Sequence, residues 1–398
     1  MRKRIIPILL TVTAFLMVAC QGKETPVDPS PPDPTVDPEE EVFPIIAWTG
    51  IKSNETSWKF TPMKEAGVNV YLGWYDTLAE VMQALEDAEK AGVKLIIKSD
   101  ELFSDVSGTV KRMRECPALF GYHISDEPSV SDFALLSQIV KSIQRYDSDH
   151  PCYINLYPNW AWGGNTGYLG NVNNFLNQVP VTFLSFDNYP IREINGVTSL
   201  RDDWYKNLED IRTASRARKM PFWAFALALS HKLNGFLYPV PSIGHLRLQQ
   251  FSNLVYGAQA FQYFTWWGAF QGTKTAVYDR VKQVNEELQG LAPVFYGAEV
   301  KAVWHTGSSL PFGTSPVSHL PDGVESLVTE DIGTVVSYIE KNGKCYFAIV
   351  NKDFALPRKI TVKLGPNVKQ VLKDGTMVPA VSGEVEMPAG DIIVYNLK

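Results

Sequence analysis

Residues 68–100 read VNVYLGWYDTLAEVMQALEDAEKAGVKLIIKSD. An apolar run at 68–74 leads into a helix-period segment at 77–92, and a second apolar run, VKLIIKSD, follows at 93–100. Two apolar strands joined by an amphipathic helix form a βα crossover, which returns the chain so that the strands pair in parallel. The alternation continues on both sides. Upstream lies FPIIAWTG (43–50); downstream lie ALFGYHIS (118–125), PCYINLYP (151–158), VTFLSFDNYP (181–190), MPFWAFALA (220–228) and FQYFTWWG (261–268). Amphipathic stretches separate them, among them SDFALLSQIVKSIQRYD (131–147), LRDDWYKNLEDIRTASRARK (200–219) and HLRLQQFSNLVYGA (245–258). A last one, AVYDRVKQVNEELQG, spans 276–290.

Eight such strands alternating with helices predict an α/β chain built on a (β/α)8 TIM barrel over residues 43–298. An open doubly wound sheet is the alternative, but no Gly-rich phosphate turn follows an early strand. Beyond residue 298 the pattern changes. GTVVSYIEKNGKCYFAIVNKD (333–353) reads as two strands around an Asn-Gly turn, a strong hairpin signal. KITVKLG, VKQVLKDG and DIIVYNL continue as short strands, so residues 299–398 are expected to form a small all-β sandwich domain.

Composition agrees with a soluble globular chain: of 398 residues, 45% are hydrophobic and 20% charged. That excludes a mainly disordered chain and a polytopic membrane protein. The net charge is −6, and residues 21–42 concentrate seven acids against one Lys. No basic face is present, so nucleic acid is not an expected partner. Aromatic content is high, at 12% with ten Trp.

The chain opens MRKR, runs IIPILLTVTAFLMVA and reaches Cys20. A basic start, a short apolar stretch and small residues before a cleavage point make a secretory signal, too short for a spanning helix. Met17-Val18-Ala19-Cys20 resembles the bacterial lipobox, which implies a signal segment over residues 1–20 that ends at the lipobox Cys, cleavage just before Cys20, and lipidation of Cys20 as the new first residue. Residues 21–42 are Pro-rich and acidic, as expected of a solvated tether. The expectation is a bacterial outer-membrane lipoprotein, with its side of the membrane left open. Cys116, Cys152 and Cys345 show neither CxxC nor metal-ligand spacing. Cys116 and Cys152 each precede a strand, so a disulfide at the barrel bottom is conceivable, but free thiols are expected.

Active sites of such barrels lie at the C-terminal strand ends. There the sequence places Trp48, Trp74, Lys98 to Glu101, Ser125-Asp126-Glu127-Pro128, Asn155, Tyr157, Trp160, Trp162, Asp187-Asn188-Tyr189-Pro190, His231, Trp266 and Trp267. Indole faces stack on the C–H faces of sugar rings, and carboxylates hold hydroxyls or move protons. Trp74, Trp160, Trp162, Trp266 and Trp267 are expected to line a cleft, with Trp48, Asp100, Asn155, Tyr189 and His231 as further substrate contacts. Trp223, in mid-strand, and His123 are expected inside the barrel, His123 with its hydrogen bonds satisfied. The six His form no metal-ligand cluster, so neither metal nor other cofactor is expected.

GYHISDEP (121–128) with FTWWG (264–268) resembles the clan A glycoside hydrolases, retaining (β/α)8 enzymes of polysaccharide breakdown. In that clan an Asn-Glu pair ends the fourth strand and the Glu is the acid/base. The resemblance implies that role for Glu127, with Asp126 in the place of Asn. The trailing β domain also resembles those appended to many glycosidase barrels. The clan's nucleophile, a Glu ending the seventh strand, has no counterpart, because residues 221–278 contain no Asp or Glu. Three readings remain. Asp187 acts with Glu127 as an inverting pair separated by roughly 6.5–9.5 Å. Alternatively the substrate supplies its own nucleophile, since Asp126-Glu127 also resembles the paired acids of β-hexosaminidases, without their preceding His-x-Gly-Gly. Or the barrel is a non-catalytic surface glycan-binding lipoprotein.

Simpler roles compete. Ser125 to Pro128 could cap the next helix, although Ser131-Asp132-Phe133 can already do so. Asp187 to Pro190 could be an ordinary turn, and Asp100 and Glu101 a solvated loop. The reading taken forward is a lipid-anchored, monomeric glycosidase of oligo- or polysaccharides, with Glu127 as acid and Asp187 and Asp126 beside it. Replacing Cys20 by Ser is expected to abolish membrane fractionation and leave the precursor at full length; unchanged fractionation and size would refute lipidation.

Overall fold

The computed structural model describes residues 41–233 and 235–398. Cys20, the leader and nearly all of the proposed tether lie outside the described residues. The segment that opens the sequence argument folds as strand Val70–Tyr75, helix Leu78–Ala91 and strand Lys94–Ser99. Thr77 starts the helix by accepting from the Glu80 N–H while Glu80 reaches back to the Thr77 N–H, a reciprocal capping box. Gly92 ends it at φ 69°, a left-handed turn that favours glycine.

Eight parallel strands close the barrel: Ile45–Trp48, Val70–Tyr75, Lys94–Ser99, Leu119–Asp126, Cys152–Leu156, Leu184–Phe186, Phe222–Leu227 and Ala260–Phe264. The first strand pairs with the second and the eighth, so Trp48 lies opposite both Leu72 and Phe264. Strand alternation sends one set of side chains into the barrel and the other under the helices. The inner set includes Ile46, Trp48, Val70, Leu72, Ile96, Tyr153, Phe183, Trp223 and Phe225. Phe183 and Trp223 stack at 3.6 Å near the bottom, so the barrel is filled, not open.

Two hairpins, absent from the sequence reading, rise from the C-terminal rim. Ile191–Ile194 with Val197–Leu200 follows the sixth strand, and His231–Leu233 with Phe236–Tyr238 follows the seventh. Leu237 pairs with Glu193, which joins both into one four-stranded antiparallel sheet. Asn-Gly at 195–196 and at 234–235 was the available signal. Asn195 and Gly196 take φ 52° and 79°, as a two-residue hairpin turn requires.

The barrel's last helix ends at Phe295, and strands begin again at Glu299. A six-stranded and a three-stranded sheet pack over Trp304, Val336, Phe347, Ile349, Ile360 and Val362, giving the expected β-sandwich. Asn342 and Gly343 turn the hairpin between Thr334–Lys341 and Lys344–Asn351, with φ of 50° and 77°. No helix occurs after Phe295 among the described residues. Cys116, Cys152 and Cys345 are free thiols.

The sandwich and barrel belong to one compact unit, Glu41–Lys398. The helix Ile243–Tyr256 is buried on nearly every side because it lies between them. Its Gly244 and Gly290 of helix Tyr278–Phe295 are contact points: an added Cβ would come within 2.4 Å of Phe354 O and 2.1 Å of Lys373 O respectively. Nearby, Arg247 donates to Glu287 at 3.0 Å and lies 3.6 Å from Asp391. Lys373 meets Asp391 at 2.9 Å and Glu287 at 3.2 Å. Removing Arg247 leaves two buried carboxylates sharing the single charge of Lys373. Arg247→Met is therefore expected to cost about 3–5 kcal/mol in denaturant unfolding; a loss below about 1 kcal/mol would show the cluster contributes little.

Candidate active site

The strand pleat decides which side chains enter the barrel mouth. Two residues beyond inward Leu72, Ile96, Tyr153 and Ser185 come Trp74, Lys98, Asn155 and Asp187, so these four form the uppermost inner layer. Trp48 and Phe264 complete it from the first and eighth strands. The fourth strand is irregular: its register against the fifth shifts between His123 and Ser125. Pairing resumes at Ser125 opposite Ile154 and sets Asp126 opposite Asn155, and the Glu127 N–H donates to Asn155 O at 2.8 Å. Glu127 then adopts φ 48°. That left-handed conformation costs a non-glycine residue roughly 1–2 kcal/mol, strain of the kind that collects at functional sites.

Asn155, buried between the carboxylates, organises them. Its Nδ2 donates to Asp126 Oδ1 at 3.2 Å and to Asp187 Oδ1 at 3.1 Å. Its Oδ1 accepts from Ser185 Oγ at 2.9 Å, and Ser185 accepts from Gln262 Nε2, also at 2.9 Å. Gln262 Oε1 accepts the Tyr153 hydroxyl at 2.7 Å. Every polar atom of the Asn155 amide is used, which fixes its orientation in the barrel floor.

The Glu127 and Asp187 carboxyls line the same cavity close enough to act on each other. Burial raises Glu127 to about 7, and the adjacent Asp126 charge adds to the rise. Asp187 is pushed well above the usual carboxylate range by burial, then by Glu127 and Asp126. Asp126 is raised less. Burial in the cleft lifts it, while the Asn155 hydrogen bond and the Lys98 charge pull it back. Two buried carboxyls that act on each other cannot both ionise cheaply, so the pair keeps one proton at neutral pH.

These groups line a cavity of about 270 Å³ with Trp48, Asn155, Tyr189, Phe225, His231, Leu233 and Phe264. That is slightly below the roughly 300–1,000 Å³ of drug-sized ligand sites, a size suited to one small ring. His231 stands on the hairpin wall, stacked on Tyr238 at 4.7 Å. Trp74 is half exposed at the mouth, edge-on to Trp48 at 6.4 Å.

Seven residues from the sequence reading thus meet at one cavity: Trp48, Asp126, Glu127, Asn155, Asp187, Tyr189 and His231. Others differ from expectation. Trp162, 8% exposed, packs among Phe133, Tyr157 and Tyr168, and Trp266, 1% exposed, packs on Phe270 and Tyr278; both are core residues. Trp160 and Trp267 are exposed but outside the cavity, Trp160 beneath the Arg201 guanidinium at 5.0 Å. Asp100 precedes the short helix Glu101–Ser104 and also lies outside. His123 is inside the barrel as expected, yet neither ring nitrogen has a hydrogen-bond partner, because Trp48, Trp74 and Tyr153 surround it. Burial and Lys98 keep its imidazole neutral, down to about pH 3. Helix capping does not occupy Asp126 or Glu127, since Ser129 and Asp132 form the capping box. Phe225, Leu233 and Phe264 were missed; only the strand register marks them as inward.

The raised carboxyls make stability depend on pH. In the unfolded chain they lose protons near pH 4; in the fold Glu127 holds its proton to about 7. The stability they contribute is fully present below the unfolded values and is lost as pH rises through about 7. Glu127→Gln should therefore gain thermal stability relative to the parent between pH 5 and pH 8. A melting-temperature gap that does not change with pH would contradict the shared proton.

No family model matches the chain, and no curated protein matches it. Solved structures share the barrel. α-Galactosidase I from Mortierella vinacea aligns with a TM-score of 0.52 at 8% identity, over 90% of this chain and 97% of its own. A Bacteroides fragilis protein described as an α-galactosidase gives 0.53 at 10% identity, over 90% and 79%. At such identities the likeness establishes the fold alone, a (β/α)8 barrel with its trailing β domain.

Proposed function

We propose that the protein is a glycoside hydrolase of oligo- or polysaccharides, with Glu127 as general acid. The observation that carries this reading is the clustering of the Glu127, Asp187 and Asp126 carboxyls in an aromatic cavity of one-ring size. A glycosidic oxygen must be protonated as it leaves, and an acid titrating near 7 is suited to that task at neutral pH. Asp187 keeps the proton on the pair and, through Asn155, in a fixed position. Trp48, Tyr189, Phe225 and Phe264 supply apolar surface for a sugar ring and exclude water from it.

The mutual influence of the two carboxyls favours one displacement route. An inverting pair needs roughly 6.5–9.5 Å for its water, and a retaining pair about 5–5.5 Å. Carboxyls that perturb each other as strongly as these favour a closer approach than either gap. Substrate-assisted attack, in which a group on the sugar itself closes on the anomeric carbon, needs no second protein nucleophile. Asp126, held by the Asn155 amide beside Glu127, is placed to orient such a group. The proposed setting is extracytoplasmic, with the enzyme held at a bacterial outer membrane through Cys20.

Incubating the purified protein with polysaccharides and aryl glycosides tests the class. Product is expected on at least one natural glycan, with kcat/KM falling above about pH 7 as the pair loses its proton. Glu127→Gln should keep the fold and lose about 10²–10⁴-fold in turnover. The loss should shrink on aryl glycosides whose leaving group needs no protonation. Binding without product on every substrate would favour a glycan-binding protein instead; full activity in Glu127→Gln would remove it as the acid.

A further inference from the structure

Charges around the mouth are not evenly compensated. On the rim, Lys59 pairs with Glu55, and Arg201 makes two hydrogen bonds to Asp203 at 3.0 and 2.9 Å. Two cations nearer the cavity have no such partner. Lys98, ending the third strand, forms no ion pair among the described residues; its Nζ sits 4.8 Å from the ring centre of half-exposed Trp74. Trp74 and Lys98 are register partners, so both side chains leave the same face of the barrel sheet.

Arg192 is the second. It belongs to the rim sheet, where His231 pairs with Tyr238, Leu233 with Phe236, and Leu237 with Glu193. Alternation places Arg192 on the same face as Phe236, Tyr238, His231 and Leu233, and the last two line the cavity. Its guanidinium lies 4.3 Å from the Phe236 ring centre, its Nε is buried without a partner, and it forms no ion pair among the described residues. A cation against one aromatic face gains only about 0.5–2 kcal/mol, and most of its donors stay free. Both sides of the mouth therefore offer unused positive donors beside a stacking surface.

We infer that the cleft takes an acidic glycan, in which the ring beside the one in the cavity stacks on Trp74 and presents a carboxylate or sulfate ester to Lys98. Arg192 meets a second anionic group from the opposite wall. The inference rests on the glycan-cleft reading above and deepens it by naming the substrate class. A lysine serving only as counter-charge to Asp126 would act equally on acidic and neutral ligands, which gives the test its readout.

The experiment measures binding, so it can fail or succeed independently of hydrolysis. The purified protein is titrated with uronate oligomers (oligogalacturonate, hyaluronan fragments), sulfated oligomers (chondroitin sulfate fragments) and neutral chitin and cellulose oligomers. Acidic members are expected to bind best and to weaken as salt rises from about 0.05 to about 0.5 M. The uronate and sulfate arms identify which anion is read. The preference for the best acidic ligand over the best neutral one should fall about tenfold in Lys98→Gln and recover in Lys98→Arg. Arg192→Gln should lower the same ratio independently. Binding confined to neutral oligomers, no binding of any acidic oligomer, or an unchanged ratio in folded Lys98→Gln would overturn the inference.

Discussion

The amide of Asn155 fixes two carboxylates at once, and the rest of the site depends on that constraint. One NH2 group donates to Asp126 and Asp187, which holds Asp187 in the cavity that Glu127 lines, where the two carboxyls act on each other. Asn155 can do this only because its own oxygen is committed to Ser185, and Ser185 in turn to Gln262. The barrel interior is therefore not simply apolar filler. Its lower layers are aromatic and aliphatic, while a polar chain from Gln262 and Tyr153 up to Asn155 carries rigidity to the mouth.

This arrangement stores unfavourable energy. Glu127 sits in a left-handed conformation, and three acids share a partly buried cleft. A closed parallel barrel tolerates it because its strands are paired on both sides and its helices are held from outside. The sandwich contributes to that support through the Arg247, Glu287, Lys373 and Asp391 cluster and through the close approaches at Gly244 and Gly290. The Lys98 charge draws Asp126 part of the way back toward its ordinary range.

Much of the architecture was legible in the sequence because it is repetitive. All eight barrel strands fall within the apolar runs or overrun them by a single residue, since a strand buried on both faces cannot be written in polar residues. Glu127, Asp126, Asp187, Asn155 and Trp48 could be located from strand ends alone. Phe225, inside the seventh strand, follows the alternation that also turns Trp223 inward. Side-chain direction beyond the strand end was not legible, which is why Trp162 and Trp266 proved to be core while Leu233 proved to line the cavity. Loop geometry decides those positions, and no two-residue period governs it. The rim hairpins were readable in principle: Asn-Gly marks them as it marks the turn at 342–343, but their strands are only three or four residues long. The Glu127–Asp187 interaction had no sequence signal, because it arises from residues 60 positions apart meeting through a third.

The proposed chemistry depends on Glu127 and Asp187 sharing one proton at neutral pH. Carbon-13 NMR of carboxyl-labelled protein, titrated from pH 3 to pH 9 and assigned with Glu127→Gln and Asp187→Asn, measures it directly. The account predicts that the pair titrates in two coupled steps, with a proton retained until about pH 7. Loss of both protons below about pH 5, as for ordinary solvated carboxylates, would contradict it.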